Sequence, residues 1–481
     1  MGWYQKKVIN VSKRINYNYR KKQMSFMQLE KKHLGLLGAL LLLFFNPAMS
    51  RQTAPSVPLD ATPLSAKQAV EYALANQATV RTAKLDELIQ LAKNREVSGL
   101  ALPSLSGAGT YQHNPIVQKQ LIDASNFSDT VPKGTLVPFS FGLKYNVMGE
   151  LRLNQVLFDP SVLVALQARE TLEQLVARGV QKAEIDVKVA VYKAYYNVLS
   201  ARRAQQILQG NIANLDKLLY ETQETYKNGL VEKLDVDRLV VQLTNLRTEE
   251  TRMRNLIEIG TAALKYQMGM PLKQEITLTD TLSTESIKSA IAVEGFDYSQ
   301  RIEYQLLQTQ KKAYEYDLKR YKFNALPTLS LFGTGGISRA SDVFNYFKRE
   351  TWYGYVSYGL NLSLPIFSGM QRRRKVDQAF LEVKKAEVNL ENTKLGIDLE
   401  QSQSTSSLRN NILTLEAQES NMKLAQEVYR TTQVKYHEGV GSSLEMNNAQ
   451  NELLTAQNNY FTALYNAVVA KVDYLKAYGK L

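Results

Sequence analysis

The chain has 481 residues, 44% hydrophobic and 22% charged, a balance that fits a folded protein and excludes both a disordered segment and a bundle of transmembrane helices. It has no cysteine, which excludes disulfides, thiolate metal sites and cysteine nucleophiles, and only three histidines, His33, His113 and His437. The net charge of +13 sits mainly in residues 1–50, with nine Lys/Arg and one acid; 50 basic and 45 acidic groups follow, so the case for a nucleic-acid partner is lost.

Residues 34–45 form an unbroken apolar-plus-glycine run, preceded by Lys31 and Lys32 and followed by Ala48-Met49-Ser50. This is the charged, apolar and small-residue order of a secretory signal over 1–50, and the run is too short to span a bilayer as a helix, which needs roughly 20 residues. A start at Met24 or Met27 gives a leader of conventional length. An exported protein is expected.

A first strand pair is expected at roughly 103–114 and 140–158. Phe141, Leu143, Tyr145, Val147, Gly149, Leu151 and Leu153 alternate there with polar residues, Met148 alone being out of place. The polar segment between the two strands reads as a loop. No proline then occurs between Pro160 and Pro271, and an Ala-, Leu-, Gln-, Glu- and Lys-rich stretch without a helix breaker predicts very long helices. Val236, Leu239 (or Val240), Leu243 and Leu246 space a coiled-coil-like seam, and Gly229 interrupts the stretch after Tyr226, so a helical hairpin is expected over roughly 161–268.

Residues 271–295, with Pro271 and Gly295, read as a connector. The whole pattern then returns. Strands are expected at roughly 327–338 and 352–367, followed by a proline-free hairpin at 370–478 with a Leu453, Ala456, Tyr460, Ala463, Ala467 seam, broken by Gly439 after Tyr436. Tyr226, Gly229, Leu234 and Asp235 match Tyr436, Gly439, Leu444 and Glu445 at an offset of 210, and Leu151, Leu153 and Phe158 match Leu360, Leu362 and Phe367 at 209. The chain divides into a leader (1–50), a first repeat (51–270), a connector (271–295) and a second repeat (296–481).

Alternating strands of this length are long enough to cross an outer membrane. Four strands cannot close, and an open edge cannot lie in lipid, so a spanning chain has to oligomerise. Periodicity does not choose between 8 strands from two copies and 12 from three. Tyr111, Tyr145, Trp352, Tyr353 and Tyr355 near the strand ends fit an interfacial aromatic girdle, against the competing soluble β-sandwich. The Gly333–Gly336 segment lacks the Lys-Ser/Thr of a phosphate loop, and the chain offers no catalytic constellation, metal cluster or cofactor motif.

The duplicated strand–strand–hairpin units, the Phe367-Ser368-Gly369 turn before Arg372, Arg373 and Arg374, the two Tyr-x-x-Gly tips and the end from Tyr474 to Gly479 together resemble the outer-membrane efflux proteins typified by TolC. The likeness runs from about Leu64 to Gly479. It implies a mainly α fold with a transmembrane β portion: a homotrimer whose 12-stranded β-barrel is continued by a periplasmic α-helical barrel, with an equatorial collar from the connector and terminal segments. It implies a non-enzymatic exit duct in outer-membrane lipid, without a cofactor, docked to a periplasmic adaptor and an inner-membrane transporter of RND or ABC type.

By resemblance, Gly229, Leu230, Val231, Gly439, Val440 and Gly441 are adaptor-contact tips, the bland alternative being ordinary hairpin turns. The pore gate falls on Glu445, with Asn448 where the family has a second acid. Gly441 stands where the family has a basic residue, which points to other latching contacts, through Asp235, Arg238 or Tyr436. Arg372 to Lys375 is either a headgroup-binding cluster or a solvated face. The competing functions are the exit duct of a type I protein secretion system and, in a different class, a periplasmic coiled-coil scaffold or adaptor.

Overall fold

The computed structural model describes residues 62–124, 132–282, 287, 296–346 and 352–481. The leader and Gly295 lie outside them. The first strand, β1 (Thr62–Leu64), runs into α1 (Ala66–Asn76) and α2 (Ala78–Gly99). Then come β2 (Ser104–His113), β3 (Lys119–Asp123), β4 (Leu136–Ser140) and β5 (Tyr145–Phe158), followed by α3 (Pro160–Lys227) and α4 (Lys233–Met268). After β6 (Ile276–Leu278), the second repeat contains α5 (Ile302–Phe323), β7 (Thr328–Ser341), β8 (Tyr353–Ser363), α6 (Gln371–His437) and α7 (Ser443–Ala477).

The two long helices follow from proline placement and capping. Asp159 caps α3 by accepting from the Ser161 backbone N–H at 2.8 Å, and Pro160 occupies the first turn, where its missing N–H costs nothing. With 68 residues in α3 and 67 in α6, each extends about 100 Å at 1.5 Å per residue. The N-terminal part of α3 packs on α2 and α5, where Asn94 bonds to the Arg169 carbonyl and Arg178 to the Gln305 carbonyl, and its C-terminal part packs on α4. Of the two alternatives left open in the first seam, Leu239 is the buried one, together with Leu243 and Leu246, while Val240 is exposed. These residues join Leu215, Met446 and Leu453, so one core cluster draws on both hairpins.

The ends of the shorter segments meet midway along the long helices. Strand β1 pairs in parallel with β6, tying the segment after the leader to the connector. Ser65 and Gln68 form a reciprocal capping box at the start of α1. Helix α4 ends at Gly269, whose φ is +69° and where an added Cβ would lie 2.7 Å from the Asn76 carbonyl oxygen of α1; only glycine fits. Tyr195 on α3 is fully buried here and donates its hydroxyl to the Leu64 carbonyl at 2.9 Å, and burial pushes the phenol up to about 12.

Four of the remaining strands form an antiparallel sheet in the order β2-β5-β7-β8. Its centre is the β5–β7 pairing, with Leu151 opposite Gly335, so the two repeats are joined in one sheet. Two expectations change in detail. The segment read as a polar loop carries the β3–β4 hairpin, and the second strand starts at Tyr145 because Gly142, at φ +153°, breaks the extended run.

Candidate functional site

Register assigns the sheet two unlike faces. Leu105, Leu151, Leu153, Ile337, Val356, Tyr358, Leu360 and Leu362 share one face and are exposed, Val356 by 81% and Tyr358 by 83%. The other face is mostly Ser, Thr, Asn, Gln and Gly. Apolar residues exposed over three turns of pleat, opposite a polar face, are the pattern of a strand set between lipid and water. Tyr111, His113 and Tyr145 cluster at one end of the apolar face with Phe344, Tyr346 and Trp352: His113 stacks on Tyr145 with centroids 4.5 Å apart, and Tyr111 meets Phe344 edge-on at 6.3 Å. The girdle expectation fails for Tyr353 and Tyr355. Period two puts both on the polar face, where the Tyr355 hydroxyl donates to Glu150 at 3.1 Å and also approaches Met148 Sδ at 3.7 Å, a partner for the methionine that looked misplaced.

At the far end of the helices the two hairpin turns have the same backbone. Gly229 and Gly439 have φ of +76° and +75°. The amide of Gly229 donates to the Tyr226 carbonyl and that of Leu230 to Thr225; Gly439 to Tyr436 and Val440 to Lys435 repeat both bonds at the offset of 210. These are the closing bonds of a glycine-terminated helix. Leu230 and Val440 stand 77% and 78% exposed, and Val231 and Gly441 are half-buried. Gly441 is not in the left-handed region; a Cβ there would lie 3.0 Å from the Tyr436 amide nitrogen, which leaves little room for the basic residue of the resemblance.

Glu445 and Asn448 lie three residues apart on the first turns of α7, both exposed and on one face. The Glu445 backbone amide donates to the capping Ser442 hydroxyl at 3.2 Å. Asp235 and Arg238, half-buried on α4, meet at 3.6 Å. Between them sits Ser443, which accepts from Arg238 at 2.8 Å and donates to the Asp235 carboxylate. Sequence reading missed Ser443. Its signal was the Ser-Ser pair before the α7 pattern, and its counterpart in the first repeat is Lys233. Tyr436 is half-buried against the adjacent core; burial pushes its phenol up, and the hydroxyl lies beside Thr222.

A second constellation, also missed, lies near the C-terminal end. Arg301 is 3% exposed and donates to Glu303 at 3.0 Å, to Glu400 on α6 at 2.6 Å and to the Ala477 carbonyl of α7 at 2.8 Å. Arg372 to Lys375 opens α6; Arg372 donates to the Pro365 carbonyl and Arg374 pairs with Asp377. Among the described residues no group of three or more His, Cys, Asp or Glu is placed to hold a metal, and no helix is long and apolar enough to cross a membrane.

Residues 301–480 match the family described as outer membrane efflux protein. Over that C-terminal segment the chain is similar to the family. It is 23% identical to the outer membrane protein TolC of Escherichia coli over 342 residues, 69% of either chain. It is 21% identical to the proteases secretion protein PrtF of Dickeya chrysanthemi over 437 residues, 85% of this chain and 86% of the relative. Its fold matches the solved Campylobacter jejuni CmeC outer membrane channel with a TM-score of 0.66 at 16% identity, covering 90% of each chain. The family match, the TolC likeness and the two-faced sheet agree: this is a passive outer-membrane exit duct, not an enzyme, with a β portion in the membrane and a helical extension.

Proposed function

We propose that three copies close one barrel, each contributing β2-β5-β7-β8, and that the assembly is the outer-membrane duct of an efflux system. The observation that carries this is the open sheet: both edges, β2 and β8, lack a neighbour among the described residues, while one face is exposed apolar surface. Lipid offers no partner to an edge, so β8 of one copy has to pair with β2 of the next, and three copies supply 12 strands. The long helices then line a conduit beyond the membrane. At its end Leu230 and Val440 are the exposed apolar side chains that a periplasmic adaptor would cover, with the half-buried Val231, Gly441 and the tip glycines shaping that contact, and the adaptor would link the duct to an inner-membrane transporter.

The gate in this reading is the end of the conduit around Glu445 and Asn448, and the Asp235–Ser443–Arg238 cluster, backed by Tyr436, holds the second tip against the first. Carboxylates from three copies converging on one axis favour cations. Efflux is preferred as the cargo class because the family description carries it; the PrtF likeness makes protein secretion the second reading. Glu445→Gln should lower cation selectivity in planar-bilayer recordings, and Asp235→Ala should raise conductance by loosening the tip. A detergent-solubilised mass of one chain instead of three would overturn the barrel, and unchanged currents in both variants would overturn the gate. Deleting the gene separates the cargo classes: drug sensitivity supports efflux, and loss of an exported protein with unchanged drug tolerance supports secretion.

A further inference from the structure

On the polar face of the four strands, Glu150 and Arg152 are the only charged side chains. They sit two residues apart on β5, one of the two inner strands of the sheet, and form an ion pair. Their exposures differ sharply. The Glu150 side chain is 6% exposed and the Arg152 side chain 63%. The carboxylate is covered from the side by Tyr355, two strands away on β8, whose hydroxyl reaches Glu150 at 3.1 Å. The ring can cross β7 only because residue 336 is glycine: a Cβ there would lie 2.8 Å from the Tyr355 Cζ and hydroxyl oxygen and 2.7 Å from the Gly149 carbonyl oxygen.

The pair is neutral, yet what it presents is not. Both carboxylate oxygens accept hydrogen bonds, one from Arg152 and one from Tyr355, and the carboxylate is withdrawn from solvent. A guanidinium has five N–H donors, and most of those of Arg152 remain free to bind an incoming acceptor. The surface therefore shows the positive end of a fixed dipole. We propose that Arg152 is an anion-binding residue of the barrel lumen, repeated around the threefold axis, which takes carboxylate or phosphate groups of passing cargo and biases the upper conduit toward anions. Glu150 and Tyr355 are positioning residues that hold it upright. The inference rests on the barrel reading above, which turns the polar face inward.

Chloride against potassium is the probe, measured as the permeability ratio of full-length trimers in planar bilayers under a salt gradient. One charge at about 10 Å in water raises the local concentration of one ion roughly two-fold and lowers that of the opposite ion by the same factor, so Arg152→Gln should lower chloride-to-potassium permeability by about four-fold. Arg152→Lys should restore it, and Glu150→Gln, which removes the counter-charge, should raise it. The lack of cysteine allows a separate check of the barrel: Ser106→Cys, opposite Arg152 on the same face, should lose current when a bulky water-soluble thiol reagent is added, and Leu360→Cys on the apolar face should not. If Ser106→Cys does not respond, the barrel reading fails. If it responds and Arg152→Gln leaves the ratio unchanged, the anion-binding role fails and the barrel stands.

Discussion

Replacing Arg301 by leucine tests the junction where α5, α6 and α7 meet. The side chain is almost fully buried and makes three charge-assisted contacts, to Glu303, to Glu400 and to the Ala477 carbonyl. Leucine would leave two carboxylates without their donor and the Ala477 carbonyl with only the longer bond from Gln401, at 3.4 Å. Breaking a fully buried pair costs about 3–5 kcal/mol, and the side chains of Glu303 and Glu400 keep 25% and 39% of their exposure, so the lower end applies, about 3 kcal/mol. With an unfolding entropy near 2.1 cal/mol/K per residue over about 400 residues, that corresponds to a melting point lower by about 4 °C. Arg301→Lys keeps the charge and loses the fork, and should fall by about half as much. The assay is the loss of helical circular dichroism in detergent on heating. A leucine variant that melts within about 1 °C of the parent would refute the claim that this network ties the three helices together.

Two further outcomes are expected. Gln450 is 1% exposed and its Nε2 has no hydrogen-bond partner among the described residues, so Gln450→Leu should stabilise the tip-side core by about 1–2 kcal/mol, read as a higher melting point. The second concerns acid. Burial pushes the Glu303 carboxyl up, but its bonds from Arg301 outweigh that and hold it below the ordinary range. Its contribution is therefore complete above the unfolded value of about 4.3 and is lost as pH falls through the depressed folded value; a melting series across that window should show less acid sensitivity in Arg301→Leu than in the parent.

The fold class was legible because its signals are local. Two-residue alternation from Tyr145 to Leu153 and from Gly354 to Leu362 specifies an amphipathic strand wherever it is placed, and a hundred residues without proline leave a helix nothing to stop it except Gly229 or Gly439. Even the need for several copies follows from four strands and a lipid solvent. Where the reading slipped, a single backbone position intervened: Gly142 moved the start of β5, and Tyr353 and Tyr355 were grouped by residue type when their register had already assigned them to the polar face.

What the chain by itself did not carry were the partners of its charged and polar groups. Tyr355 reaches Glu150 across 205 positions, Ser443 reaches Asp235 across 208, and Arg301 finds Glu400 and Ala477 at separations of 99 and 176. Periodicity tells which way a side chain faces, not what stands opposite. That is set by which strands pair and by the level at which one long helix lies against another, and only the packed chain fixes both. The sequence thus determined a duplicated set of membrane-length strands and long helical hairpins. The tertiary structure decided that β5 and β7 join the repeats, that Ser443 sits between Asp235 and Arg238, and that the polar face of the sheet presents a guanidinium with its carboxylate withdrawn beneath it.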